Sequence, residues 1–155
     1  MGTFARNVAT TDLITIQLDT TIEEAHSLMK EKRIRHLPVV DELDYIVGIV
    51  SQRDIQNVRL PQKLTVDLFM TSPVESVDQL TPLRAVILRM IERKISCMLV
   101  ADENSNAFGI ITTDDLLWHL AQMIKDDAEV KQPLISTLSL QAIGRITNTL
   151  STAGI

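Results

Sequence analysis

The residues best suited to chemistry occur twice. Gly48-Ile49-Val50-Ser51-Gln52-Arg53-Asp54 returns as Gly109-Ile110-Ile111-Thr112-Thr113-Asp114-Asp115. In each copy a glycine and two branched aliphatics lead to a hydroxyl residue, with an aspartate three positions after it. The aliphatic run reads as a buried strand, and a hydroxyl followed at i+3 by a carboxylate marks the start of a helix. The corner between them is a helix N-terminus, whose unpaired N–H groups and partial positive charge can receive a phosphate. The aspartate can accept from the hydroxyls of a sugar. Capping alone would also account for these residue types, and the two readings are compatible because an occupied cap can yield to a ligand.

Two copies of one corner require two copies of the elements that hold it. The glycines are 61 residues apart (109 − 48), and that offset aligns Leu13–Ile55 with Val74–Leu116 without a gap. Thr20 falls on Thr81, Met29 on Met90, Ile34 on Ile95 and Asp41 on Asp102, and the match extends upstream to Thr10 and Thr71. Within each copy a short alternating strand comes first, Leu13 to Ile16 or Val74 to Val77. A helix follows, capped by Thr20 with Glu23 in one copy and by Thr81 with Pro82 at its first turn in the other. Ile22, Ala25 and Met29 form the apolar stripe of the first helix, as Leu83, Val86 and Met90 do in the second. A hairpin then runs from Leu37–Val40 to Tyr45–Val50, or from Met98–Ala101 to Phe108–Ile111, and feeds the motif and its helix. The second motif helix is expected to run to about Lys125.

Each copy is thus a strand-helix-strand-strand-helix unit, an α+β fold with one sheet face for the other copy to cover. The boundaries expected are a first repeat at 8–60, a linker at 61–65, a second repeat at 66–125 and a tail at 126–155. In the tail Leu140, Ile143, Ile146 and Leu150 recur at mostly helical spacing, which suits packing on the body or docking on another chain.

Composition narrows the partners. A chain of 155 residues can bury one good core and is too short for two large ones. A net charge of −5 without a long basic run disfavours nucleic acid, whereas a small anion needs only a local basic pocket. The lone Cys97 rules out an internal disulfide and a cysteine zinc cluster. No apolar run approaches the ~18 residues of a membrane span, so the expectation is a soluble, cytoplasmic protein with no membrane partner. No nucleophile stands with a base and no Gly-Lys-[Ser/Thr] phosphate loop is present, so the expected role is binding rather than catalysis. His26 and His119 lack ligating neighbours, and no metal is expected.

With this element order and the two Gly-h-h-[Ser/Thr]-x-x-Asp turns, joined by Arg33-Ile34-Arg35-His36-Leu37-Pro38-Val39-Val40-Asp41, the chain resembles a tandem pair of cystathionine-β-synthase (CBS) domains, a stand-alone Bateman module. The resemblance spans about residues 8–122. It implies two repeats packed about a pseudo-twofold axis, two clefts between them for adenosine nucleotides (AMP, ADP or ATP), and a homodimer. It further implies that Asp54 and Asp115 hold ribose hydroxyls and that Ser51 and Thr112 contact phosphate. Arg35 and His36 would face phosphate, and backbone near Thr15 and Ser76 would border the adenine. Arg53 joins Arg33, Arg35 and His36 as phosphate-binding groups on chemical grounds. The second repeat departs from the pattern: Ser96 and Cys97 replace the basic pair, Leu99 the proline, and Asp114 replaces Arg53.

The function implied is a regulatory module that senses an adenosine nucleotide and, having no effector domain of its own, signals to a partner protein. S-adenosylmethionine is an open alternative ligand. A scaffold with empty clefts, acting through dimerisation and tail docking, is the alternative function.

Overall fold

The computed structural model describes residues 2–102 and 107–124. Residues 2–122 belong to one compact unit, and the second unit begins at Met123. The expected tail stripe at Leu140–Leu150 lies outside the described residues, and the last helix ends at Met123, two residues short of the expected Lys125.

The first repeat comprises β1 (Ile16–Gln17), α1 (Ile22–Lys32), β2 (His36–Val40), β3 (Ile46–Ser51) and α2 (Gln52–Ile55). The second comprises β4 (Ser76–Asp78), α3 (Leu83–Arg93), β5 (Cys97–Ala101), β6 (Ala107–Thr112) and α4 (Thr113–Met123). Each makes a three-stranded sheet in sequence order, its first pair parallel and its second antiparallel. Both hairpins carry a register shift at equivalent places, Val39/Val40 and Val100/Ala101. The α+β duplication about a pseudo-twofold axis is therefore present down to its irregularities.

Ile22, Ala25 and Met29 are buried under α1, and Leu83, Val86 and Met90 under α3, so the apolar stripes face the cores as their spacing requires. Three details differ from expectation. The cap of α1 is Thr21 rather than Thr20: its backbone N–H and hydroxyl donate to Glu24, whose own N–H donates back to the Thr21 hydroxyl. In α3 the capping position falls to Pro82, and Thr81 makes no side-chain cap bond. The first strands are also shorter than the alternating pattern suggested, because parallel pairing starts only at Ile16 and Ser76.

Segments upstream of each repeat cross to the other. Ala5, in a short 3-10 turn at Ala5–Asn7, is fully buried in the core of the second repeat, and Thr10 pairs with Ile110. Val66, in the equivalent turn Val66–Leu68, is fully buried in the core of the first, and Thr71 pairs with Ile49. These crossings explain the motif glycines. A Cβ on Gly48 would collide with the Met70 sulfur, and one on Gly109 would stand 2.7 Å from the Thr10 carbonyl oxygen. A third apolar cluster, with Ile49, Leu99 and Ile110 buried and Leu13 and Val74 beside them, draws on both sheets and joins the halves.

Candidate functional site

The two motif corners keep one carboxylate oxygen for structure. In the first, the Ser51 N–H and hydroxyl donate to Asp54 Oδ2 at 2.8 and 2.6 Å. In the second, the Thr112 N–H and hydroxyl donate to Asp115 Oδ2 at 2.7 and 2.6 Å. Oδ1 of Asp54 has no hydrogen bond to any described residue, while Oδ1 of Asp115 accepts a long bond of 3.3 Å from the Thr10 hydroxyl. Capping and ligand binding are thus not rivals for the same atom: Oδ2 closes the corner and Oδ1 is left to accept from hydroxyls.

The helix starts contribute less to anion binding than the sequence suggested. The first N–H of α2, on Gln52, already donates to the Arg35 carbonyl (2.8 Å), and that of Thr113 donates to the Ser96 carbonyl (3.0 Å). Moreover α2 has only four residues, too few peptide units for a sizeable macrodipole. Charge for an anion must come from side chains.

Two clefts of about 200 and 210 Å³ contain the aspartates, and their walls correspond at the offset of 61 except that Pro38 lines only the Asp115 cleft and His36 reaches into the Asp54 cleft as well as its own. The Asp115 cleft is lined by Thr10, Asp12, Leu13 and Ile14 from the start of the chain, Arg33 to His36 at the entry to β2, and Ile110, Thr112 and Asp114. The Asp54 cleft takes Thr71, Pro73, Val74 and Glu75, then Lys94 to Cys97, and Ile49, Ser51 and Arg53. Each thus offers an apolar slot between a branched aliphatic of the third strand, Ile49 on β3 or Ile110 on β6, and the segment before the first strand, with a carboxylate at one end. That shape suits a flat ring with a hydroxylated sugar. Between the clefts lies a third cavity of about 400 Å³, bordered by Arg35, His36, Ser51, Gln52, Arg53, Gln56, Ser96 and Thr113.

Of the residues singled out by sequence, Asp54, Asp115, Ser51, Thr112, Arg35, His36 and Arg53 all line one or more of these three cavities. Thr15 and Ser76 are exposed and stand outside the lining. Leu13 and Ile14, with Val74 and Glu75, supply the wall just before them.

Arg35 is bound across the repeat boundary: its Nη2 lies 2.6 Å from Asp114 Oδ1 and 2.5 Å from Oδ2. Sequence reasoning saw Asp114 only as the replacement for Arg53 and missed this pairing. His36 places Nε2 2.8 Å from the Ser96 hydroxyl. Burial, reinforced by the neighbouring Arg35 charge, holds its pKa below the ordinary imidazole value, so the ring is neutral near pH 7. Cys97, the offset counterpart of His36, is pushed up to about 12 by burial and then by the Asp54 charge, which makes it an inert thiol. Arg33 and Lys94, equivalent and both left-handed (φ 56° and 55°), add one cation to each cleft. The offset of 61 could have paired Lys94 with Arg33 from sequence alone. Among the described residues no group of three or more His, Cys, Asp or Glu is placed to hold a metal ion.

This architecture matches known proteins. The model of the CBS domain matches residues 5–60 and 66–122. A homoserine O-acetyltransferase of Methanobrevibacter ruminantium is 35% identical over 107 residues, covering 68% of this chain and 22% of that protein. The chain spans about a quarter of the length of the curated relatives it matches. Among solved structures, a CBS domain pair in complex with 5′-methylthioadenosine and S-adenosylmethionine is similar with a TM-score of 0.73 and 27% identity, over 80% of this chain and 100% of that one. CBSX2 in complex with AMP is similar with a TM-score of 0.69 and 26% identity, over 79% of this chain and 98% of that one. CBS domain pairs form a family of ligand-binding regulatory modules. With both repeats matched, their sheets duplicated and their clefts shared, the chain belongs to the CBS domain family.

Proposed function

We propose that the protein senses adenosine nucleotides (AMP, ADP or ATP) in the clefts between its repeats and passes the result to a partner protein. The reading is of a binder rather than an enzyme, in the cytoplasm. The observation that carries it is the division of labour within each carboxylate, Oδ2 capping and Oδ1 left for ribose hydroxyls, at the edge of an apolar slot. Arg35, Arg53 and His36 around the central cavity supply the chemistry for phosphate. Similar CBS pairs solved with AMP and with S-adenosylmethionine support an adenosine ligand. A ligand that prefers one relative placement of the repeats would bias whatever binds the module.

Titration calorimetry on Asp54→Ala and Asp115→Ala tests the assignment. The variant at an occupied cleft should lose ~1.5 to 3 kcal/mol of nucleotide affinity, the scale of a hydrogen bond to a charged group. Unchanged affinity in both removes the ribose assignment.

A second reading, a scaffold acting by dimerisation, is favoured by one feature. On α3 and α4, Leu88, Ile91, Leu117, Trp118 and Leu120 are between 47% and 70% exposed. Their offset counterparts in the first repeat are Ser27, Lys30, Gln56, Asn57 and Arg59. An apolar exterior on the helices of one repeat, where the equivalent helix positions of the other are polar, fits a second copy of the chain, meeting like surface with like. Sedimentation equilibrium should show a dimer that Trp118→Lys shifts toward monomer. A monomeric parent protein would remove this reading.

A further inference from the structure

The two clefts have corresponding walls and different charges at their inner ends. Where the Asp54 cleft has Arg53, the Asp115 cleft has Asp114. Where the Asp115 cleft has Arg35, the Asp54 cleft has Ser96. Arg35 is held by both oxygens of Asp114, so the guanidinium at the inner end of the Asp115 cleft is already paired with an anion. Arg53 forms no ion pair with a described residue, and the acid of its cleft, Glu75, is itself bound by Arg89 and Arg93. The Asp115 cleft adds Asp12 to its acidic side as well. Arg33 and Lys94 give each cleft one cation at equivalent places, so they do not distinguish the two. At the inner end a phosphate in the Asp115 cleft must displace Asp114 from Arg35 or lie against carboxylates, whereas one in the Asp54 cleft meets Arg53, which has no ion pair with a described residue.

We propose that the clefts sort adenosine ligands by charge. The Asp115 cleft takes a nucleoside whose 5′ substituent is neutral or cationic, and the Asp54 cleft takes a phosphorylated one. This rests on the adenosine-ligand reading above and goes beyond it by giving each cleft its own ligand class. Asp114 acts through Arg35, as an internal stand-in for phosphate, so it excludes the anion without touching the nucleoside. Arg35 and Asp114 are 54% and 64% exposed, which makes their pairing weak enough to tune selectivity rather than fix it.

The experiment isolates each cleft by removing the other's aspartate and compares two probes, adenosine and AMP, by calorimetry at fixed ionic strength. The ratio of AMP to adenosine affinity should be at least about tenfold lower in Asp54→Ala, where the Asp115 cleft remains, than in Asp115→Ala. Adding Asp114→Asn to Asp54→Ala should raise that ratio about fivefold, the size expected for a partly exposed charge pair. Where an alanine variant fails to fold, Asp54→Asn and Asp115→Asn keep an oxygen for the cap and serve in its place. Equal ratios in the two cleft variants, or a ratio that Asp114→Asn leaves unmoved, overturn charge sorting while adenosine binding stands. A wild-type protein that binds neither probe overturns the adenosine reading itself, and this inference falls with it.

Discussion

The first repeat puts Arg33, Arg35 and Arg53 around the clefts and keeps the outer faces of its helices polar. The second puts Asp114 and Ser96 at the corresponding inner corners and turns Leu117, Trp118 and Ile91 outward. Beneath these differences most buried positions match in kind: Ile16 with Val77, Ala25 with Val86, Met29 with Met90, Val39 with Val100, Val50 with Ile111. The comparison shows which residues the fold itself requires. Buried positions are held to apolar residues of compatible size by packing, whereas cleft rims and helix exteriors have diverged, so function can differ between halves that share one chain path.

The largest effect that sharpens the comparison concerns the motif glycines. Gly109→Ala would drive its Cβ against the backbone oxygen of Thr10, which is itself paired with Ile110, so the crossing segment as a whole must move. Overpacking of this kind costs ~1 to 3 kcal/mol. Gly48→Ala meets the side chain of Met70, which can change rotamer, and should cost less. Chemical denaturation of the two variants checks the order; Gly48→Ala as the more damaging would show that the segment at Met70 is the stiffer one.

Next in size is the helix cap. Thr21→Ala removes the hydroxyl that accepts from the Glu24 N–H and should cost ~1 kcal/mol. Thr81→Ala, at a position where the hydroxyl makes no cap bond, should stay within ~0.5 kcal/mol. Equal losses would mean that the two halves cap their first helices alike after all.

How much of this was legible in the sequence follows from the range of each interaction. The duplication, the apolar stripes, the hairpins and the Ser51/Asp54 and Thr112/Asp115 corners are set by residues within a few positions of one another, and pattern reading reaches them. The cap at Thr21 was missed by one residue because two threonines stand together with Glu23 and Glu24 at matching distance, leaving the local signal degenerate. The crossings of Ala5 and Val66 were only half visible: their equivalence is in the offset, yet which core each enters is decided by tertiary packing. The Arg35–Asp114 pair joins residues 79 positions apart, and no spacing rule relates them.

The smallest effect places the same comparison on a pH axis. His36 and Cys97 occupy equivalent positions at the starts of β2 and β5, and burial disfavours the charged form of each, in opposite directions. For His36 the folded pKa lies below 6.5, so on acidification the unfolded chain takes up its proton first. Its contribution is fully present above about pH 6.5 and is lost as pH falls below that value. For Cys97 the folded pKa is about 12 against an ordinary 9.0, so the unfolded chain releases its proton first, and stability is lost as pH rises above 9.0. His36→Gln should therefore flatten the acid side of the stability profile and leave the alkaline side unchanged, and Cys97→Ala should do the reverse. Urea midpoints at pH 5.5, 7.5 and 9.5, each compared with the wild-type protein, measure both limbs. If each variant's midpoints run parallel to the wild type across all three, the equivalent positions do not experience burial in the way their surroundings require.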